Sequence, residues 1–247
     1  MGEGDHRIEY QDRLIRTDQH HHPKERTGMV FAGEGILISS MEVRPDEEAD
    51  FNEWFDREHL AERVAIPGFL EARRYESVGV PTRYLQIYNT TRFDVLNGAP
   101  YRAALANQTE WSDHHISRFI APTRVVGRLV HSAGVARGVA VALMRLRPSG
   151  DPAMMPALAG VLEVLDQPGT ASIHFVEADA GLSRPVTADS GYVGSEDCYV
   201  LIECTSEAAA GKIIARLGAP VEKYGELIDG RVFRYRMDIG ASALAAR

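Results

Sequence analysis

The sequence predicts an α+β fold made of two ferredoxin-like βαββαβ units in one chain, their sheets packed face to face. Three observations carry this. The element order β-α-β-β-α-β runs over residues 35–132, it returns over 138–239, and a Pro-Gly pair follows the first helix each time. Those pairs, Pro67-Gly68 and Pro168-Gly169, lie about 100 residues apart, a spacing suited to a tandem domain rather than a solenoid repeat. A single unit covers one sheet face with its helices and leaves the other bare, and a second copy can supply the cover.

Each element has a local signature. Residues 35–43, GILISSMEV, read as a strand. Residues 46–65 read as a helix, with Asp46 as N-cap, acidic residues in the first turn and Pro67-Gly68 as the stop. Strands at 69–78 and 82–90 flank a short turn containing Gly79 and Pro81. Tyr84, Gln86 and Tyr88 alternate with Leu85 and Ile87, as expected where both sheet faces are covered by different chemistry. A second helix is expected from Pro100 to Phe119, and a closing strand at 123–132. The second half supplies a strand at 138–148, a helix from Asp151 to Asp166 and strands at 170–178 and 197–205. A helix capped by Ser206 then runs to Leu217, and a last strand spans 230–239. The expected boundaries are 1–33 for a polar N-terminal arm, 34–133 and 134–240 for the units, and 241–247 for a tail. The arm carries His20-His21-His22, a loose metal-catching run without a fixed surround, and it suits a segment that wraps another subunit in a homo-oligomer.

Composition narrows the function classes. Hydrophobic residues at 45% and charged residues at 25% exclude a wholly disordered, collagen-like or polytopic membrane chain. The balance of 27 basic against 35 acidic residues, with no long Lys/Arg run, argues against nucleic acid as a partner. No apolar run reaches the roughly 18–20 residues that span a bilayer, and the N-terminus lacks the apolar core of a signal peptide. Cys198 and Cys204 share one extended run that holds them about 20 Å apart, too far for a disulfide. A cytoplasmic setting, with no membrane partner, is the expectation.

Chemistry concentrates in the first half. On a helical wheel Phe51, Trp54, Phe55, Ala61 and Ala65 form the inward face, with Glu58 in its middle, Glu62 close by and His59 on its margin. The second helix turns Tyr101, Ala104, Leu105, Trp111 and Phe119 inward, and Gln108 and His115 with them. Arg73 and Arg74 project to opposite faces of their strand, so one of them looks toward the helices. Framed by Trp54, Phe55, Tyr75 and Trp111, these groups read as a small pocket with a few placed polar side chains. A buried ion pair of Glu58 with Arg73 or Arg74, plus a core histidine bonded to a carbonyl, accounts for them equally well. In the second half, residues 152–166 are almost wholly apolar, Gly160 stands where the first half has His59, and His174 matches Arg73. That half reads as a degenerate copy.

The segment FNEWFDREHLAERVAIPGFLEARRYE (51–76) resembles the signature helix and strand of the dimeric α/β-barrel superfamily, nearest to its EthD-like members. The resemblance is carried by Trp54 or Phe55, His59, Leu60, Pro67, Gly68, Phe69, Arg73 and Tyr75. It implies that the two sheets pack face to face as a dimeric α/β-barrel, with a ligand pocket between the helices and sheet of each unit. Such relatives include cofactor-free monooxygenases, lactone isomerases, polyketide-type cyclases and haem-degrading enzymes. The second half lacks the histidine motif, which speaks for one site per chain.

The resulting expectation is a cofactor-free enzyme that acts by proton transfer on a small apolar, aromatic or lactone-type compound. His59 would be the acid/base, Glu58 or Glu62 its orienter, and Arg73 or Arg74 the stabiliser of a developing oxyanion. Trp54, Phe55, Tyr75, Gln108, Trp111 and His115 would line the ligand. No nucleotide-binding glycine pattern and no metal-ligand spacing stands in the sequence. Two alternatives remain open: a non-catalytic small-molecule or haem binder, with His59 or His115 on the iron, and an assembly protein built on its sheets and arm.

Overall fold

Eight antiparallel strands close into one barrel in the computed structural model, which describes residues 31–148, 163–183, 197–222 and 225–245. The strands are β1 (Gly35–Glu42), β2 (Phe69–Ser77), β3 (Arg83–Thr90), β4 (Ile120–Gly134), β5 (Ala140–Pro148), β6 (Thr170–Ala178), β7 (Cys198–Cys204) and β8 (Gly225–Gly240). Around the barrel they run β1-β3-β2-β8-β5-β7-β6-β4, so the order 4-1-3-2 of the first half returns as 8-5-7-6 in the second. The halves close into the expected barrel. Their edges are hydrogen-bonded, β2 to β8 and β4 to β6, which leaves no open sheet edge.

The two Pro-Gly junctions are built alike. Gly68 and Gly169 both have positive φ, +95° and +94°, where a side chain is strained. Each glycine carbonyl accepts a backbone bond from a threonine, Thr91 or Thr205, at 2.8 Å. A Cβ on Gly68 would meet Val95, and one on Gly169 would meet Ala209, both at 2.7 Å. Only glycine satisfies backbone and packing together.

The first helical layer departs from the expected wheel. It comprises α1 (Glu48–Trp54), a π-helical turn (Phe55–His59) and α2 (Leu60–Val64). A π turn holds an extra residue, so it rotates everything beyond it by about 100° relative to an α-helix. The buried stripe therefore moves from the predicted Glu58, Ala61 and Ala65 to His59, Leu60, Arg63 and Val64. Asp46 does not cap; it pairs with Arg44, and Glu47 takes the N-cap position without a side-chain bond. The second expected helix is two, α3 (Ala99–Ala106) and α4 (Glu110–Ile116). The break comes at Thr109, whose hydroxyl accepts the Ser112 amide at 3.0 Å and starts α4 afresh.

In the second half Ser206 caps α5 (Glu207–Glu222) by accepting the Ala209 amide at 3.1 Å. A short α6 (Ala241–Ala245) stands in what the sequence suggested was a tail. The helix expected at 151–166 lies outside the described residues except for a turn at Glu163–Asp166, as does the arm to residue 30 with its histidine run.

Strand alternation sorts the side chains into three apolar clusters. Tyr84 and Tyr88 face outward under the first-half helices with Phe51, Trp54 and Phe55. Leu85 and Ile87 face inward and meet Val141, Val176, Leu201 and Phe233 from the other half. A third cluster packs α5 on the outer face of β5–β7. Phe31, placed by sequence in the polar arm, is fully buried inside the barrel, where the Arg73 guanidinium lies 4.0 Å from its ring centre.

Candidate functional site

The helix-covered outer face of the first half gathers most of the expected site residues around His59. The π turn drives this imidazole into the layer, leaving it 9% exposed, with ring centres of Trp54 and Phe55 at 4.5 and 4.9 Å. Among the described residues its Nδ1 has no hydrogen-bond partner. Burial holds His59 well below the usual imidazole range, and the positive charges of Arg63 and Arg74 push it the same way. Both effects favour the uncharged imidazole.

Arg63, one turn further on, is the residue that sequence reasoning missed. It is 5% exposed, and its Nη2 donates to Gln108 Oε1 at 2.7 Å. Among the described residues it has no carboxylate within ion-pair distance, an unusual state for a buried guanidinium. Allowing for the π turn would have put it on the inward stripe. Glu58, expected in the centre of that stripe, sits instead at its half-buried rim and accepts from the Thr109 hydroxyl at 2.5 Å. Glu62 is exposed. The α3–α4 break is thus tied to the first helical layer twice, through Gln108 and through Thr109.

The two arginines of β2 part company. Arg74 faces the helices, bonded to Asp56 and to Asn52 at 2.6 Å, with its charge over the rings of Phe51, Phe55 and Tyr84. Asp56, not Glu58, is its counter-ion. Tyr84 donates to Glu48 at 2.5 Å, and burial together with that bond pushes its hydroxyl up to about 12. Arg73 and Tyr75 point into the barrel, on the other side of the sheet from His59. Arg73 bonds Glu203 at 3.0 Å and Glu71 at 2.5 Å, and Tyr75 reaches Glu203 at 3.3 Å. Burial pushes the Glu203 carboxyl and the Tyr75 hydroxyl up. Of the two arginines expected beside His59, Arg74 lies on its side of the sheet, whereas Arg73, and Tyr75 which was expected to frame the pocket, are separated from it by the thickness of the sheet through strand alternation.

Trp54 links His59 to His115. Its Nε1 donates to Ser112 Oγ at 3.1 Å, and its ring stacks on His115 at 5.0 Å. His115 Nε2 lies 2.9 Å from Asp50 Oδ2, off the hydrogen-bond line, and Trp111 donates to the same carboxylate oxygen at 3.2 Å. His174, the counterpart of Arg73, is a satisfied core histidine, with Ser132 Oγ at 2.6 Å and Ser172 Oγ at 2.9 Å. A separate open groove of about 470 Å³ lies between the Val78–Val80 turn and Gly211, Ile214 and Val232. It holds none of this chemistry.

No family model matches the chain, and no curated protein matches it. Solved structures match on fold. An anthrone oxidase-like protein superposes with a TM-score of 0.59 at 7% identity, over 84% of this chain and 93% of that one. A candidate monooxygenase from Fusobacterium nucleatum subsp. nucleatum gives 0.55 at 7% identity, over 84% and 95%. A heme-binding protein from Thermus thermophilus gives 0.49 at 14% identity, over 92% and 98%, a score too low to bear on ligands. The chain thus shares the ferredoxin-fold α/β barrel of monooxygenase-like proteins. Aromatic rings lie against both His59 and His115, which are 9% and 2% exposed, so neither of these two imidazoles is open to a haem iron.

Proposed function

We propose that the chain is an enzyme that removes a proton from a small apolar or aromatic compound, with His59 as the base and Arg63 as the group that holds the resulting negative charge. One observation carries this reading: a neutral, buried imidazole with an open Nδ1 beside a buried guanidinium without a carboxylate. An unsatisfied buried polar group costs about 1–3 kcal/mol, so a purely structural role explains this pair poorly. An anionic product next to the imidazole would favour its protonated form, which makes the transfer self-supporting. Trp54 and Phe55 would hold the apolar body of the ligand. Entry would be at the α3–α4 break, where Asn107 is exposed and Gln108 and Thr109 are half-buried. The EthD-like resemblance of residues 51–76 supports the same placement, with Arg63 in the role expected of Arg73 or Arg74.

The repeated strand order and the paired Pro-Gly junctions support descent from two fused units, with 34–133 keeping the site and 134–240 a structural copy. The arm would serve assembly with further copies of the chain. The test is a panel of small enolisable and phenolic compounds, screened for thermal stabilisation and then for turnover. His59→Ala is expected to abolish turnover and keep binding, and Arg63→Gln to weaken both. Turnover in His59→Ala at the parent rate would refute the reading, and a Soret band on haem titration would replace it with the binder alternative.

A further inference from the structure

The sequence spacing showed no metal-ligand cluster, yet the fold brings Asp50 of α1 together with His114 and His115 of α4. One ligand atom from each lies within 4.8 Å of the others. We propose that these three residues form a surface site for a divalent transition-metal ion of the zinc type, with water completing the shell. The donor set of two imidazoles and one carboxylate suits Zn²⁺, Co²⁺ or Ni²⁺ rather than Ca²⁺ or Mg²⁺, which favour all-oxygen sites.

A second observation points to a ligand independently of the clustering. His115 is 2% exposed, and its Nε2, 2.9 Å from Asp50 Oδ2 but off the hydrogen-bond line, completes no hydrogen bond among the described residues. The surround is already built. Trp111 donates to the Asp50 carboxylate, and Trp54 stacks on the His115 ring, so two of the three ligands are oriented from behind. Arg118 opposes the ion. Its Nη1 donates to His114 Nδ1 at 2.8 Å, which leaves the ring proton on Nε2, so a metal at Nδ1 must displace Arg118, and a metal at Nε2 requires that proton to move to Nδ1 and Arg118 to leave. With 45% of its side chain exposed, Arg118 can withdraw into solvent. The site does not depend on the role given to His59.

Both tryptophans of the chain touch this cluster, so their fluorescence reports on it directly. The experiment is a Co²⁺ titration followed by tryptophan quenching, and a Zn²⁺ titration by calorimetry. It uses the full chain with His20, His21 and His22 changed to Ala, which removes the competing run. One equivalent should bind and quench. Asp50→Asn and His114→Ala, both at exposed positions, should each weaken binding at least about tenfold, and Arg118→Ala should tighten it. Absence of saturable binding, or binding unchanged in both Asp50→Asn and His114→Ala, would overturn the proposal.

Discussion

Arg73 and Glu203, 130 residues apart in sequence, meet at 3.0 Å inside the barrel, each 1% exposed. The pair ties β2 of one half to β7 of the other. The Gly138 amide also donates to Glu203, at 3.0 Å, so the carboxylate is held from three sides. Removing one partner strands a buried charge, which typically costs about 3–5 kcal/mol. Arg73→Met should therefore lower the denaturation midpoint sharply, and Arg73→Met with Glu203→Gln should lose clearly less than the two single changes added together. Additive losses in urea unfolding would deny the coupling.

A glycine comparison separates backbone need from packing need. Gly68 and Gly79 both have positive φ, but a Cβ on Gly79 meets nothing within 4 Å, whereas one on Gly68 strikes Val95. Gly79→Ala should cost about 1–2 kcal/mol from the backbone alone. Gly68→Ala should cost more, as should Gly169→Ala, which strikes Ala209. Equal melting temperatures for the Gly68 and Gly79 variants would contradict the packing argument.

Acid should weaken the fold through its histidines. Burial lowers His59 and His115 below the ordinary range and His174 to about 3. Unfolded, each would titrate near pH 6.5. Below that pH the unfolded chain takes up protons that the folded one refuses. Stability is therefore fully present above about pH 6.5 and is lost as pH falls toward the folded values. The urea midpoint should drop between pH 7.5 and pH 5, and His174→Gln should flatten the slope. An identical slope in that variant would exclude His174 as a contributor.

Gln108 is the sole hydrogen-bond partner of the buried Arg63 among the described residues. Gln108→Ala should destabilise by about 1–3 kcal/mol and speed amide hydrogen exchange at Asn107–Thr109. Unchanged exchange there would mean that the α3–α4 break is held by Thr109 and Glu58 alone.

The repeat was legible from Pro67-Gly68 and Pro168-Gly169 because the left-handed backbone there leaves glycine as the unstrained choice. The opposed faces of Arg73 and Arg74 were legible from the period of a strand. Alternation tells which face a residue takes but not which strand lies beside it, so the Arg73–Glu203 contact stayed hidden, whereas the barrel itself was expected from the resemblance of residues 51–76. His59 was found, yet its neighbours were misplaced. Nothing in a 3.6-residue wheel announces a π turn, and the shift it causes exchanged Glu58 for His59 and concealed Arg63. Asp50, remote from His114 and His115 in sequence, likewise became a neighbour only through the packing of α1 on α4.

The state of His59 can be read directly by following its ring nitrogens in an NMR titration of the full chain. A buried neutral base should keep its neutral-imidazole shifts through the interval around pH 6.5 where exposed histidines titrate, and should protonate only once an acidic ligand is bound. A midpoint at or above 6.5 in the free protein would contradict the assignment of His59 as the waiting base.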